Sequence, residues 1–393
     1  MMLTLGTKIA VFHVESGLPE RSLVRISTDR ERPYGLRRRE AFLLDGGDVP
    51  DGFLIYISTR VGLADQQRLD GKNLISLPDT FGYLGGGDIL RLVPGRGEVR
   101  TLFRRTAPTN TFLLTERCNN YCLMCSQPPR QIDDSWLIDE IIEVLHLIDY
   151  EVAEIGFSGG EPTLLGQRFL ELVATAKALL PDTALHVLSN GRSFSDPTFA
   201  AALGAIKHPD LMIGVPLYSD VSEIHDYVVQ ADGAYDETVR GILNLKAAGV
   251  RTELRVVLHK QTVSGLTELA AFIARNLVFV EQVALMGLEI TGFTKINMSE
   301  LWLDPMDYME QLTGAVRILD RAKIKTMIFN LQLCLLPENI RRFARQSISD
   351  WKQEYIKECT MCAMKDQCGG FFAWNVSNLS RGVKAFPIAV KYK

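Results

Sequence analysis

Short apolar runs separated by turn sequences fill the first 107 residues of this chain. The turns include Asp45–Asp48 (Asp-Gly-Gly-Asp) and Gly85–Asp88 (Gly-Gly-Gly-Asp), and no convincing amphipathic helix lies among the runs. This pattern predicts an all-β N-terminal domain, a small sheet or barrel, over residues 1–107. The predicted strands are Ile9–Val14, Leu23–Ser27, Ala41–Leu44, Phe53–Ser58, Ile89–Val93 and Glu98–Phe103.

From Pro108 the pattern changes to a repeated order of strand, loop and helix, which predicts a parallel sheet with helices outside it. Six such units are fewer than the eight of a closed barrel. The predicted strands are Thr111–Thr115, Glu154–Phe157, Ala184–Leu188, Leu211–Leu217, Arg251–Leu258 and Gln282–Leu288. The predicted helices are Leu137–Ile148, Gln167–Leu179, Thr198–Ile206, Tyr235–Ala248, Leu266–Asn276 and Met306–Ala322.

Composition narrows the class of protein. The 393 residues suffice for two or three domains, and 47% hydrophobic with 23% charged content is typical of a soluble enzyme. A net charge of −4 argues against nucleic-acid binding by the whole molecule. No run approaches the ~20 apolar residues of a membrane span, and the first residues lack a signal-peptide pattern. We therefore expect a cytoplasmic protein with reduced thiols and no membrane partner.

A local basic excess stands out in the N-terminal domain. It comprises five arginines, Arg30, Arg32, Arg37, Arg38 and Arg39. A solvated loop is the favoured interpretation, and a docking patch for an acidic partner is the alternative.

Three cysteines follow the first predicted strand of the second domain. Cys118, Cys122 and Cys125 have the spacing C-x3-C-x2-C. Three thiolates on one short loop can hold three irons of a [4Fe–4S] cubane and leave the fourth iron without a protein ligand. Structural clusters normally use four cysteines, so the open iron predicts a place for chemistry.

The remaining four cysteines lie near the C-terminus. They are Cys334, Cys359, Cys362 and Cys368, and the last three have the spacing C-x2-C-x5-C. Four thiols fit either a fully ligated second cluster or a structural zinc ion. Beside the first three cysteines, the cluster is the favoured hypothesis.

Two polar segments follow the next two predicted strands. Ser158–Pro162 reads Ser-Gly-Gly-Glu-Pro, in which the glycines would let a ligand approach the backbone and Glu161 could accept hydrogen bonds from an ammonium group. Ser189–Gly191 reads Ser-Asn-Gly, whose hydroxyl and amide suit sugar hydroxyls, although a turn or helix cap is the alternative. Because carboxyl ends of parallel strands share one edge, we expect these segments beside the cysteines.

Together these residues resemble the radical S-adenosylmethionine (SAM) superfamily, which implies an α/β fold with an open partial (β/α)6 barrel over residues 108–325. In that family the Gly-Gly-Glu-Pro segment, here Gly159, Gly160, Glu161 and Pro162, grips the amino group of SAM, and Ser189 and Asn190 would lie beside its ribose. The resemblance further implies SAM contacts for Ser219, Arg255, Gly287 and Glu289, although Arg255 could equally form a structural ion pair. One departure is Met124, where many members carry an aromatic residue.

The resemblance implies a reaction and its cofactors: a [4Fe–4S] cluster with an open iron, SAM, and a second, auxiliary [4Fe–4S] cluster. The cluster would donate one electron to SAM, and the resulting 5′-deoxyadenosyl radical would abstract a hydrogen atom from substrate. An electron donor such as a flavodoxin or ferredoxin is implied as a partner.

Residues 326–393 resemble a shortened SPASM/twitch-type auxiliary cluster module. Over nearly the whole chain the resemblance is to the C-type radical SAM maturase family of the His-Xaa-Ser system, through Cys122–Arg130, Ala284–Glu289, Ser347–Trp351 and Cys368–Phe372. It implies a ribosomally made precursor peptide as substrate and a second radical SAM maturase as partner. Two alternatives stay open, a radical SAM enzyme of small-molecule cofactor biosynthesis and a non-catalytic scaffold stabilised by zinc. The β-rich N-terminal domain favours the peptide substrate, with a purely structural role as its alternative.

Overall fold

The computed structural model describes residues 5–14, 18–60, 71–149, 152–346 and 354–387, so the segment Ser347–Trp351 lies outside the described residues. The chain divides into two compact units. Unit 1 comprises Met1–Asn110 with Asp139–Val152, and unit 2 comprises Thr111–Ile138 with Ala153–Lys393.

Unit 1 contains an eight-stranded sheet with the order β1-β8-β7-β3-β4-β5-β6-β2. Each of the six predicted strands overlaps one of these, and β1 and β6 are additional. At two and three residues they are too short to give a sequence pattern. The strands are β1 (Gly6–Thr7), β2 (Val11–His13), β3 (Ser22–Ser27), β4 (Glu40–Leu43), β5 (Ile55–Ser58), β6 (Leu74–Ser76), β7 (Ile89–Val93) and β8 (Glu98–Phe103).

The sheet of unit 1 is mixed. Strands β3, β4, β5 and β6 pair in parallel, while β1, β8, β7 and β3 form an antiparallel series. Alternate residues of β3 lie in different surroundings. Val24 and Ile26 belong to the apolar core, whereas Arg25 forms ion pairs with Glu40 and Asp149.

The arginine cluster of unit 1 is partly structural. Arg32 pairs with the buried Glu40, and Arg30 pairs with Asp45. Arg37, at the end of the four-residue helix α1 (Tyr34–Arg37), donates hydrogen bonds to three backbone carbonyls. These three arginines hold the connection between β3 and β4, and a docking patch for an acidic partner stays a prediction.

Unit 2 is the predicted α/β layer. Its seven strands lie in sequence order, and neighbours from β10 to β15 pair in parallel. The sheet is open, because β9 and β15 are its two edges in the described part of the chain. The strands are β9 (Thr109–Leu113), β10 (Glu154–Ser158), β11 (Ala184–Leu188), β12 (Leu211–Pro216), β13 (Arg251–Leu258), β14 (Gln282–Gly287) and β15 (Lys325–Phe329).

Helices connect these strands as predicted, with additions. The eight-residue α5 was not predicted, and neither were the short helices α7 and α9 or the seventh strand β15. The helices are α2 (Trp136–Leu147), α3 (Gln167–Leu179), α4 (Pro197–Ala205), α5 (Ser222–Val229), α6 (Ala234–Ala247), α7 (Lys260–Val263), α8 (Leu266–Asn276), α9 (Met298–Leu301) and α10 (Met309–Arg321). None of the helices that the structure describes is both long and apolar enough to cross a membrane.

Candidate active site

The loop from β9 to α2 carries the first three cysteines, and a buried carboxylate braces its start. Asp134 accepts hydrogen bonds from Thr115 Oγ1 (3.0 Å), from Glu116 N (2.5 Å) and from Arg117 Nε (3.3 Å). Asp134 is 1% exposed, so these bonds form in a largely dry environment. The chain is thereby fixed immediately before Cys118.

The rest of the cysteine loop is held from two directions. Tyr121 N and Leu123 N donate to carbonyls at the end of α5, at 3.0 and 2.9 Å. On the other side, Phe293 N donates to Cys125 O (2.9 Å) and Asn297 Nδ2 donates to Leu123 O (2.8 Å). The loop backbone is therefore positioned by two elements distant in sequence.

The three thiols lie within electrostatic range of one another. Burial raises the pKa of Cys118 to about 11, with further contributions from Glu161 and Cys125. Burial also raises the pKa of Cys122, and the other two thiols raise it further. Thiols in such surroundings need a cation to ionise, and a coordinated metal deprotonates them outright. The set of three therefore fits the cluster that the spacing predicts.

No group of three or more His, Cys, Asp or Glu among the described residues is placed to hold a single metal ion. Ligands around one zinc ion stand about 4 Å apart, given zinc–sulfur bonds of about 2.3 Å. A cubane of four irons spreads its thiolates more widely.

The glycines of the Gly-Gly-Glu-Pro segment pack against the cysteine loop. A Cβ on Gly160 would lie 2.2 Å from Arg117 O, and one on Gly159, whose φ is 154°, would lie 2.4 Å from Thr115 O. Gly160 N and Glu161 N donate to these same two carbonyls, each at 2.8 Å. The close approach predicted for a ligand is thus made by the chain's own backbone. No described donor reaches the carbonyl oxygens of Gly159 and Gly160.

Glu161 is fully buried and accepts four hydrogen bonds. The donors are Thr163 N (3.0 Å), Thr163 Oγ1 (2.5 Å), Ser189 Oγ (2.8 Å) and Asn190 N (2.5 Å). Burial raises the pKa of Glu161, and these four bonds lower it in part. The carboxylate predicted to receive an ammonium group is therefore occupied in joining two strand ends.

The Ser-Asn-Gly segment after β11 contacts both Glu161 and the cysteine loop. Ser189 donates to Glu161, while Asn190 Nδ2 donates to Asn119 Oδ1 at 2.6 Å. The two side chains predicted to lie beside a ribose thus have protein partners. Pro162 begins a short 3₁₀ turn that Glu161 caps.

Arg192, which sequence analysis did not single out, clamps the first half of the cysteine loop. Its Nη1 donates to Asn119 O (2.8 Å) and Asn120 Oδ1 (2.7 Å), and its Nε donates to Glu237 at 2.6 Å. We expect Arg192→Ala to lose iron from the first site about tenfold faster under a chelator, because a charge-assisted contact is removed. Arg192→Lys should fall in between, since lysine keeps the charge but not the fork.

The control for Arg192 is Arg251→Ala, which removes a more exposed ion pair with Asp210 far along the chain from the cysteines. It should lose iron at the wild-type rate. Equal rates for Arg192→Ala and Arg251→Ala would rule out the clamp.

The remaining predicted SAM contacts lie after the end of β12, within β13, and at and after the end of β14. Ser219 Oγ accepts a hydrogen bond from Val221 N (3.0 Å), which forms a local turn. Arg255 forms an ion pair with the buried Glu253 at 2.6 Å, which is the structural alternative to a SAM contact named above. Gly287 and Glu289 both lie near the amide of Asn330, at 3.5 and 3.4 Å.

The last four cysteines line one cavity. The space between atoms is about 320 Å³, including what opens to solvent, and the lining contains Cys334, Cys359, Cys362 and Cys368. Phe386 N donates to Cys362 Sγ (3.4 Å), and burial raises the pKa of Cys334, which Cys368 and Cys359 raise further. Four converging thiols with an N–H···S bond suit a fully ligated cluster, and zinc held by the four cysteines stays the alternative.

Comparison with known proteins finds a family model that matches part of the chain. Residues 112–273 match the Radical SAM superfamily. This range includes the first three cysteines, the Gly-Gly-Glu-Pro segment and the Ser-Asn-Gly segment. Residues 112–273 therefore form a radical SAM domain.

Curated relatives are similar over part of their length. A GTP 3′,8-cyclase of Mycobacterium marinum is 26% identical over 198 residues, covering 48% of this chain and 52% of the relative. An Fe-coproporphyrin III synthase of Methanosarcina barkeri is 30% identical over 162 residues, covering 40% and 38%. The chain thus spans about half or less of these two relatives. The solved structure of Streptococcus suis SuiB bound to S-adenosylmethionine has a TM-score of 0.48 at 15% identity, covering 61% of this chain and 53% of SuiB.

Proposed function

We propose that this radical SAM enzyme carries a second, fully ligated iron–sulfur cluster and modifies a ribosomally made precursor peptide by hydrogen-atom abstraction. The observation that carries the proposal is the presence of two separate cysteine sites in unit 2, one of three thiols and one of four lining a single cavity. When bound, the cluster and SAM together supply the 5′-deoxyadenosyl radical that starts the reaction.

Residues at the carboxyl ends of the strands would hold different parts of SAM and its cluster. Cys118, Cys122 and Cys125 would hold the cluster. The carbonyl oxygens of Gly159 and Gly160 are the acceptors offered to the SAM ammonium, because the Glu161 carboxylate already has four donors. Arg255, Gly287 and Glu289 would line the remainder, with Ser219 at the substrate entrance.

The second site would hold an auxiliary [4Fe–4S] cluster in a SPASM/twitch-like module over residues 326–393. Cys334, Cys359, Cys362 and Cys368 would complete its coordination. A cluster with no open iron suits electron transfer or structural support rather than substrate binding.

A peptide substrate is supported by the sheet of unit 1, which lies outside the matched family range. Its edge strand β2 is short. Val11 within this strand is 52% exposed, and Ile9, two residues before the strand, is 76% exposed. An extended peptide can add to such an edge through main-chain hydrogen bonds. The second candidate is small-molecule cofactor biosynthesis, which the names of the curated relatives favour.

The substrate proposal is tested with the anaerobically reconstituted chain, dithionite, SAM and either of two candidates. A synthetic peptide carrying His-Xaa-Ser repeats should raise 5′-deoxyadenosine formation above the background rate and change in mass. GTP should do neither. Consumption of GTP, with the peptide unchanged, would instead support the cofactor pathway. If the peptide is modified only when a second radical SAM protein is added, the two-maturase arrangement follows.

Metal content separates the enzyme from the scaffold. Two four-iron clusters predict roughly eight irons per chain. Zinc in both sites with no SAM cleavage would leave only a non-catalytic scaffold.

A further inference from the structure

An asparagine near the C-terminus holds the backbone that follows β14. Asn375 Nδ2 donates to Leu288 O at 3.0 Å, and Asn375 Oδ1 accepts from Ile290 N at 2.8 Å. The side-chain amide thus forms the two hydrogen bonds that the backbone of a neighbouring strand would otherwise form. Leu288 and Ile290 are buried, so without Asn375 their backbone groups would be left unpaired away from water.

A second asparagine reaches the same backbone. Asn330 Nδ2 lies 3.5 Å from Gly287 O and 3.4 Å from Glu289 Oε1. A Cβ on Gly287 would come within 2.4 Å of Asn330 O, so the two backbones are in close contact. Segment 287–290 is therefore held at alternate residues by two amides.

Both asparagines belong to the segments that carry the second cysteine site. Asn330 precedes Cys334 by four residues, and Asn375 follows Cys368 by seven. These segments are joined to each other, since Gln332 Nε2 donates to Gly370 O at 2.7 Å. The four-cysteine module is thus attached directly to the end of the sixth strand of the sheet.

We propose that Asn375 is a positioning residue through which the C-terminal module completes the SAM site. By fixing segment 287–290, it holds Gly287 and Glu289 in place for SAM. The inference rests on the proposed function, in which these two residues contact SAM. It gives the module a role that does not depend on electron transfer.

The test is the SAM dissociation constant of the reconstituted full chain, measured anaerobically by calorimetry. Asn375→Ala should weaken SAM binding about tenfold, because two hydrogen bonds that order the segment are lost. It should raise KM for SAM while leaving the rate at saturating SAM unchanged. The Ile290 amide should exchange with deuterium faster. Asn375→Asp keeps the acceptor for Ile290 N but places a carboxylate oxygen against Leu288 O, so it should weaken SAM binding at least as much as Asn375→Ala does.

The matched control is Asn378→Ala. Asn378 lies three residues further in the same module, and its Nδ2 has no hydrogen-bond partner among the described residues. It should bind SAM as the wild type does. Wild-type affinity in an Asn375→Ala protein with full iron content would overturn the inference. If Asn375→Ala loses iron, the SAM dissociation constant is measured for Asn375→Asp instead. Absence of SAM binding in the wild type would instead count against the proposed function.

Discussion

Replacing Cys122 with alanine is expected to reduce dithionite-dependent 5′-deoxyadenosine formation to the background rate. Two thiols cannot retain a cubane that three hold, so iron should fall from roughly eight to roughly four per chain. The fold should survive, because the loop backbone is held independently by the end of α5 and by Phe293 and Asn297. Iron analysis and product chromatography on one preparation measure both effects.

The reciprocal variant is Cys362→Ala, whose thiol lies in the other cavity. It too should fall to roughly four irons, but it should retain measurable 5′-deoxyadenosine at saturating SAM. Retained SAM cleavage by Cys122→Ala, or complete loss of SAM cleavage in Cys362→Ala alone, would contradict this assignment. Either result would mean that the four-cysteine site, not the three-cysteine site, supports SAM cleavage.

Glu161→Ala should destabilise the protein even without SAM. The substitution leaves four donors without their acceptor inside the protein, and we expect the free energy of unfolding to fall by about 3 kcal/mol. A carboxylate that served only to bind SAM would give no such effect in ligand-free protein. Urea denaturation of the protein without SAM measures the difference.

The control for Glu161 is Glu223→Ala, at an exposed carboxylate in the first turn of α5. It should change the unfolding free energy by no more than about 0.5 kcal/mol. If Glu161→Ala has the unfolding free energy of the wild type yet loses SAM affinity, the carboxylate serves to bind the SAM ammonium group, as predicted from the sequence.

The order of strands and helices in unit 2 could be predicted because each is a local pattern. A buried strand such as β14 contains a continuous apolar run, Val283–Met286, and the apolar residues of α10 recur with the helical period. Strand pairing is not local. The parallel pairing of β3 to β6 gave no signal, since the predicted strands fit an antiparallel sheet equally well.

The cysteines could be found from spacing alone, and the residues that position them could not. Asp134, Arg192 and Asn375 are ordinary polar residues in the sequence. They matter because the fold brings them to backbone groups that are 18, 73 and 85 positions away. The Gly-Gly-Glu-Pro segment could be found from the sequence. The sequence did not predict that its glycines pack against the cysteine loop or that its carboxylate joins two strand ends.

The most direct test of the central claim is electron–nuclear double resonance on the reduced, reconstituted protein with SAM labelled with nitrogen-15 at its amino group. We expect a nitrogen coupling from SAM bound to one iron, and we expect this coupling to be absent in Cys122→Ala. A reduced cluster that shows no coupling with SAM at saturation would mean that no iron is open, and would contradict the assignment of Cys118, Cys122 and Cys125 as an incomplete ligand set.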